Sequence, residues 1–124
     1  MGALAELGLT TGDGPIMLIA PPDGALAEAG RMKPRPAVAS TLLTAEPTPR
    51  ILWWPEPAEL RPGLLSRLRW LLESASGEAW LILDAHEPAA ASLPDGLRSA
   101  RFDLLETRPI GRGETALRIR PAGA

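Results

Sequence analysis

The residues best suited to chemistry stand together in Asp84-Ala85-His86-Glu87, which holds the only histidine of the chain. A carboxylate close to a histidine is a common acid–base pair, because the imidazole ring titrates near neutral pH. The tetrapeptide follows Ala79-Trp80-Leu81-Ile82-Leu83, an apolar run with the length of a buried strand. Since ligands bind outside the carboxyl ends of parallel strands, Asp84 and His86 are candidate catalytic residues. A solvated loop after the strand explains the same residues without catalysis, and the pattern leaves both interpretations open.

Several other classes of site lack the residues that they need. The chain has 124 residues, no cysteine and one histidine, which argues against disulfides, cysteine nucleophiles and a zinc site. Its formal net charge of −2 argues against general nucleic-acid binding. The apolar runs are far shorter than the roughly 20 residues that span a bilayer, and the first residues do not resemble a signal peptide. We therefore expect a cytoplasmic protein that binds no metal, no nucleic acid and no membrane.

A cofactor would bind in the turn between the first strand and its helix. That strand covers residues 15–20, and the turn is Pro21-Pro22-Asp23-Gly24. Nucleotide and S-adenosylmethionine sites use several glycines there, because their backbone N–H groups approach the ligand. This turn has one glycine and two prolines, which have no N–H group. We predict no cofactor, and Asp23 and Gly24 remain candidates for an alternative ligand site together with Trp54, which ends the third strand.

The elements that position these residues follow the order β-α-β-β-α-β-(α)-β-β. The early strands are continuous apolar runs, which is typical of parallel strands buried on both faces. They are predicted at residues 15–20, 38–43, 51–54 and 79–84, with a short helix over 25–29. A glycine-bearing loop joins two last strands, at 103–109 and 114–120, in an antiparallel hairpin. We predict a single α/β domain over residues 1–124, with short helical stretches at 87–92 and 97–100.

A leucine-rich helix over residues 64–75 carries the strongest periodic signal. Its leucines recur at about 100° per residue on one face, whereas Trp70 lies on the opposite, polar face. Pro62 is expected to cause a break or an offset start of this helix. A large aromatic residue on a polar face predicts a surface for a protein partner or for self-association. Cover by a neighbouring loop is the alternative.

Two groups of cations are candidate sites for anions. Arg31, Lys33 and Arg35 form a basic connector that would suit an anionic ligand or an ordinary solvated loop. A second group of arginines falls in or beside the last two strands, where charge on an edge strand would prevent pairing between sheets. Its members are Arg108, Arg112, Arg118 and Arg120.

The opening of the chain resembles the DUF3052 family. Leu7-Gly8-Leu9, a glycine turn, and a strand that ends in Ala20-Pro21-Pro22-Asp23-Gly24 are similar to the family's lead-in and first strand end. The resemblance extends over nearly the whole chain and implies a small bacterial protein with a reduced methyltransferase-like Rossmann sheet and no assigned activity. The chain departs from the family at Leu83-Asp84-Ala85-His86, where a Trp-Pro-Lys-like strand end is usual. Any role that the family gives to the lysine of that strand end therefore does not carry over to this chain.

These observations predict a three-layer, Rossmann-like α/β domain, mostly parallel, with an antiparallel C-terminal hairpin. The expected function is non-catalytic and works through protein contacts, as a homodimer or with a protein partner, with Trp70 as the interface candidate. The alternative is a small-molecule or nucleotide-type ligand, bound with or without turnover at the strand ends near Trp54, Asp84 and His86.

Overall fold

Six strands form one sheet in the computed structural model, which describes residues 2–111 and 113–123, with only the backbone of Ala89. The strands are β1 Met17–Ile19, β2 Ala37–Ala39, β3 Arg50–Trp53, β4 Glu78–Asp84, β5 Phe102–Ile110 and β6 Glu114–Pro121. The α-helices of the described residues are α1 Ala3–Glu6, α2 Asp23–Gly30, α3 Pro62–Ala75 and α4 Pro88–Ser99. Short 3-10 helices span Thr11–Asp13, Leu42–Thr44 and Pro57–Glu59. In the described part of the chain, no helix combines the length and the apolar character needed to cross a membrane.

The sheet has the order β2-β1-β3-β4-β6-β5. The first four strands are parallel, and β6 runs antiparallel to both β4 and β5. This confirms the predicted α/β architecture, with a mostly parallel sheet and a C-terminal antiparallel hairpin. After β1, the chain first adds β2 next to one edge of β1 and then returns to add β3 next to the other edge. The carboxyl ends of β1 and β3 therefore flank a topological switch point, where open α/β sheets hold their ligands.

The alternation of side chains along the strands divides the core into two layers. Trp53 is 0% exposed and packs in the layer that contains the leucines of α3. Trp54, one residue further, is partly buried in the opposite layer, where α1 and α2 contribute Leu4 and Ala29. The two tryptophans therefore point to opposite sides of the sheet, as the two-residue period of a strand predicts.

A 3-10 helix over Pro57–Glu59 ends before the leucine-rich helix begins at Pro62, which agrees with the predicted break or offset start at this residue. Proline is well tolerated at the first helical position, where its missing N–H group would have had no partner inside the helix. The predicted apolar face is confirmed. Its buried members are Leu64, Leu65, Leu68, Leu71 and Leu72.

Two predictions from the sequence need correction. The second strand stops at Ala39, and a capping box between Thr41 and Thr44 turns the following residues into a 3-10 helix. The two short helical stretches predicted after β4 form one helix, α4, with Pro94 inside it. Leu93 and Leu97, four residues apart, are buried against the sheet core, and this burial offsets the hydrogen bond that Pro94 cannot donate.

The last strand is internal rather than an edge. β6 lies between β4 and β5, and its Ala116, Leu117 and Ile119 are all buried. Protection of a sheet edge therefore does not explain Arg118 and Arg120, which both belong to β6. Arg108 does lie on the edge strand β5, and Arg112 falls outside the described residues.

A substitution at Gly77 tests the close approach of β4 to the start of β3. A Cβ atom on Gly77 would lie 2.5 Å from the carbonyl oxygen and 2.7 Å from the Cα of Pro49, which are backbone atoms that cannot turn away. We expect Gly77→Ala to lower the free energy of unfolding by about 1–3 kcal/mol, as overpacking does elsewhere. Gly63→Ala is the matched control, because a Cβ on this α3 residue meets no atom within 4 Å. Equal stability of the two variants in urea unfolding would contradict this close contact between the strands.

Candidate functional site

A cavity of about 400 Å³ opens at the carboxyl edge of the sheet. We call it the carboxyl-end cavity. It is lined by Gly2, Ala3, Glu6, Pro22, Gly24, Ala25, Trp54, Gly111 and Glu114. Pro22 and Gly24 follow β1, and Trp54 follows β3, so the cavity lies at the switch point of the sheet. Two of the predicted ligand-site residues, Gly24 and Trp54, therefore share one cavity.

The N-terminal helix α1 forms one wall of this cavity and is held there by hydrogen bonds. The carboxylate of Glu28 in α2 accepts the backbone N–H groups of Leu4, at 3.0 Å, and of Ala5, at 2.8 Å. At the other side, the Glu6 carboxylate accepts the N–H of Gly111 in the β5–β6 turn, at 3.1 Å. Arg108 also donates to the Glu6 carbonyl oxygen, at 3.3 Å. These contacts fix α1 between α2 and the hairpin.

The turn after β1 has no glycine cradle. A Cβ atom on Gly24 would meet no atom within 4 Å, so this position does not require glycine for a close approach of the backbone. α2 begins at Asp23, directly after Pro22, and the first intrahelical bond runs from the Leu26 N–H to the Pro22 carbonyl oxygen, at 3.0 Å. The Asp23 side chain is exposed and lies outside the lining of the cavity.

Asp84 and His86 do not assemble into an acid–base pair. Both are exposed, and an Asp84 carboxylate oxygen accepts the backbone N–H of His86, at 2.9 Å. Within residues 2–111 and 113–123, no hydrogen bond or ion pair joins the two side chains. The carboxylate of Asp84 therefore supports the turn after β4. The two residues line a neighbouring open recess with Gly113 and Glu114.

Glu114 is a site residue that the sequence reasoning missed. It lines both the carboxyl-end cavity and the recess, and it lies opposite Asp84 in the β4–β6 register. Its pKa is raised, first by burial and then by the negative charges of Glu6 and Asp84. Residues 6, 84 and 114 are far apart in the chain: the register of the hairpin on β4 brings Glu114 to Asp84, and the contact of α1 with the hairpin brings Glu6.

A second missed cluster surrounds Trp80 in β4. The guanidinium carbons of Arg108 and Arg118 lie 5.6 Å and 5.9 Å from the centroid of its indole ring. Glu106 links the two arginines, with one oxygen 2.5 Å from Arg108 Nη2 and the other 3.7 Å from Arg118 Nη1. Because these arginines have partners inside the sheet, their role here is to cover a buried aromatic ring.

The predicted interface residue, Trp70, is 49% exposed on the outer face of α3. Arg67, one turn earlier, places its guanidinium carbon 4.7 Å from the centroid of the Trp70 ring. The same guanidinium donates to the Ala45 carbonyl oxygen, at 3.3 Å, next to the 3-10 helix that carries Leu43. Leu43 is 64% exposed. We call Leu43, Arg67 and Trp70 the Trp70 surface.

Three solved methyltransferases share this fold. Ribosomal protein L11 methylase from Lactobacillus delbrueckii subsp. bulgaricus is 14% identical, with a TM-score of 0.57 over 89% of this chain and 59% of the methylase. The dimethyltransferase RosA from Streptomyces davawensis is 14% identical, with a TM-score of 0.53 over 86% of this chain and 42% of RosA. The 16S rRNA methyltransferase RsmC from T. thermophilus, solved with AdoMet and guanosine, is 13% identical, with a TM-score of 0.50 over 89% of this chain and 36% of RsmC.

These likenesses show that the chain has a methyltransferase-like Rossmann fold. No family model and no curated protein matches it. The chain spans between 36% and 59% of the length of the three structures.

The residues at the switch point do not fit AdoMet in the manner of a glycine-rich turn. Pro21 and Pro22 have no N–H group to offer a ligand. Gly24 lies in open space rather than in a tight cradle, and α1 forms the opposite wall of the cavity. The turn therefore offers fewer backbone donors for AdoMet than a glycine-rich turn would.

The raised pKa of Glu114 predicts a pH-dependent gain from its removal. Above the raised pKa, Glu114 is charged in the folded state at a cost that the unfolded chain does not bear. Wild-type stability therefore falls as the pH rises from the ordinary glutamate pKa through the raised value. We expect Glu114→Gln to melt at a higher temperature than wild type at pH 8, and the difference to disappear below the ordinary glutamate pKa.

Glu46→Gln is the control, because Glu46 is exposed and precedes β3 at the opposite edge of the sheet. Melting temperatures measured across the pH range test the prediction. A Glu114→Gln difference that is the same at every pH would contradict it.

Proposed function

We propose that this chain is a methyltransferase-like domain that acts through protein contacts rather than catalysis, as a homodimer joined through the Trp70 surface. The observation that carries the proposal is the exposure of two large apolar side chains, Trp70 and Leu43, on the outside of the α3 layer, where Arg67 contacts both residues. Large apolar side chains that lie together on a surface mark interaction sites, and tryptophan is enriched among the residues that dominate binding energy.

The chemistry of the Trp70 surface favours a second copy as the partner. In a twofold dimer the same patch meets itself, so an apolar patch without unpaired charge is self-complementary. The one cation of the patch, Arg67, already has the indole ring and the Ala45 carbonyl oxygen as partners. These contacts hold the guanidinium against its own copy, so Trp70 and Leu43 would supply the apolar contact across the dimer.

The carboxyl edge supports the non-catalytic half of the proposal. Asp84 is engaged with backbone, and the turn after β1 offers two prolines where a cofactor loop would offer N–H groups. Membership of the DUF3052 family, a cytoplasmic location and the absence of nucleic-acid or membrane partners stay predictions from the sequence.

Sedimentation of matched variants tests the homodimer. We expect wild type to sediment as a concentration-dependent dimer and Trp70→Ala as a monomer, because the substitution removes the largest exposed apolar side chain of the patch. Leu26→Ala is the control and is expected to remain dimeric. Leu26 is also exposed, at 42%, but lies in α2 on the other layer of the sheet. A monomeric wild type at all concentrations, or equal loss of dimer in both variants, would overturn the proposal.

The carboxyl-end cavity favours a second candidate function, the binding of a small molecule. Trp54 gives the cavity an aromatic wall, and Glu6 and Glu114 give it negative charge, which suits a flat ligand with a positively charged group. A nucleotide phosphate would meet the two carboxylates. The volume of about 400 Å³ is within the usual range for small-molecule sites, roughly 300–1,000 Å³.

Thermal shift experiments separate the two candidates. From the contact-based proposal we expect no saturable rise in melting temperature with S-adenosylmethionine or AMP. A saturable rise that is lost in Trp54→Ala and kept in Trp70→Ala would instead support the binding function. The Trp70→Ala control shows that the loss belongs to the cavity rather than to any removal of a tryptophan.

A further inference from the structure

A second cavity lies on the other side of α1, away from the carboxyl edge. It is an open cavity with a volume of about 470 Å³, bordered by α1, the segment that follows it, and the end of α2. We call it the α1–α2 cavity. Its lining residues are Leu4, Ala5, Leu9, Thr10, Thr11, Gly12, Glu28, Met32 and Lys33. α1 separates the two cavities, since Ala3 and Glu6 line one and Leu4 and Ala5 line the other.

The walls of the α1–α2 cavity are held in place from three sides. Glu28 binds the N–H groups of Leu4 and Ala5 and so joins α2 to α1. The Thr11 hydroxyl donates to the Pro34 carbonyl oxygen, at 2.6 Å, and joins the segment after α1 to the connector after α2. Arg50 donates to the Thr10 carbonyl oxygen, at 2.7 Å, and ties the same segment to β3. The elements that border the cavity are thus tethered, which favours a preformed site.

The lining is apolar apart from a few groups, most of which already have partners. Leu4, Leu9 and Met32 supply aliphatic and thioether surface. Both Glu28 oxygens accept backbone N–H groups, and the Thr10 hydroxyl donates to Asp13, at 3.2 Å. Within the part of the chain that the structure describes, no ion pair or hydrogen bond engages the Lys33 ammonium. Lys33 is therefore the group whose charge is left for a ligand.

We infer that the α1–α2 cavity binds a small amphipathic anion, with its apolar body against Leu9 and Met32 and its anionic group at Lys33. The apolar body would gain from burial in proportion to its area, and the anionic group would form a charge-assisted hydrogen bond with the ammonium. Within the basic connector, this assigns the anion to Lys33, which lines the cavity, and not to Arg31, which is also exposed but absent from the lining. The inference is independent of the homodimer, because α3 contributes nothing to this cavity.

Calorimetric titration with three probes tests the inference. Octanoate carries both the apolar body and the charge, octanol only the body, and acetate only the charge. We expect octanoate to bind saturably to the full chain and more tightly than either of the other probes. Lys33→Ala should weaken octanoate binding about tenfold and leave octanol binding unchanged. Arg31→Ala is the matched control and should bind octanoate as wild type does.

A steric variant locates the site. Ala5 is exposed and lines the cavity, so Ala5→Phe should fill it without disturbing the core and should abolish octanoate binding. The melting temperature of each variant shows that it is folded. The inference is overturned if wild type does not bind octanoate, if octanol binds equally well, if Arg31→Ala weakens binding as much as Lys33→Ala, or if a folded Ala5→Phe variant still binds octanoate.

Discussion

The two-residue period of three buried parallel strands decides how the rest of this protein packs. In β1, β3 and β4, neighbouring side chains point to opposite faces, and nearly all of them are buried. Trp53 therefore enters the layer under α3, and Trp54 enters the layer under α1 and α2. A slip of one residue in β3 would exchange these layers and present the wrong β3 side chains to the helices on either face. The sheet thus fixes both the carboxyl-end cavity, through Trp54, and the layer from which Trp70 projects.

The short helix α1 depends on hydrogen bonds from three side chains, Glu28, Glu6 and Arg108, for its position beside that sheet. With only four residues, α1 has little stability of its own, and Glu28 satisfies two of its free N–H groups. Its placement has two consequences. It forms a wall of the carboxyl-end cavity at the switch point, where the fold would hold a ligand, and it borders the α1–α2 cavity on its other side. One ordered segment at the start of the chain therefore shapes both concave regions of this layer.

Much of the architecture could be predicted from the sequence because its determinants are local. Continuous apolar runs identified the parallel strands, and the 100° period of the leucines placed Trp70 on the outer face of α3.

Three features depended on information that a local pattern does not carry. The burial of Leu93 and Leu97 outweighs Pro94 only because the sheet lies beneath α4. Glu114 meets Asp84 only through the register of β6 on β4, and β6 is internal because β5 takes the edge. The candidate pair of Asp84 and His86 was found by position, but sequence alone does not show that the Asp84 carboxylate binds backbone.

The four tryptophans occupy four different environments, so their indole N–H signals can test the central claim in one experiment. Trp53 and Trp80 are buried, Trp54 lines the carboxyl-end cavity, and Trp70 lies on the proposed dimer surface. A dilution series of the ¹⁵N-labelled protein, with the signals assigned by substitution, would follow all four. We expect the Trp70 signal to shift with protein concentration while the other three hold their positions. Four signals that are independent of concentration, or a shift at Trp54 in place of Trp70, would contradict the proposed dimer.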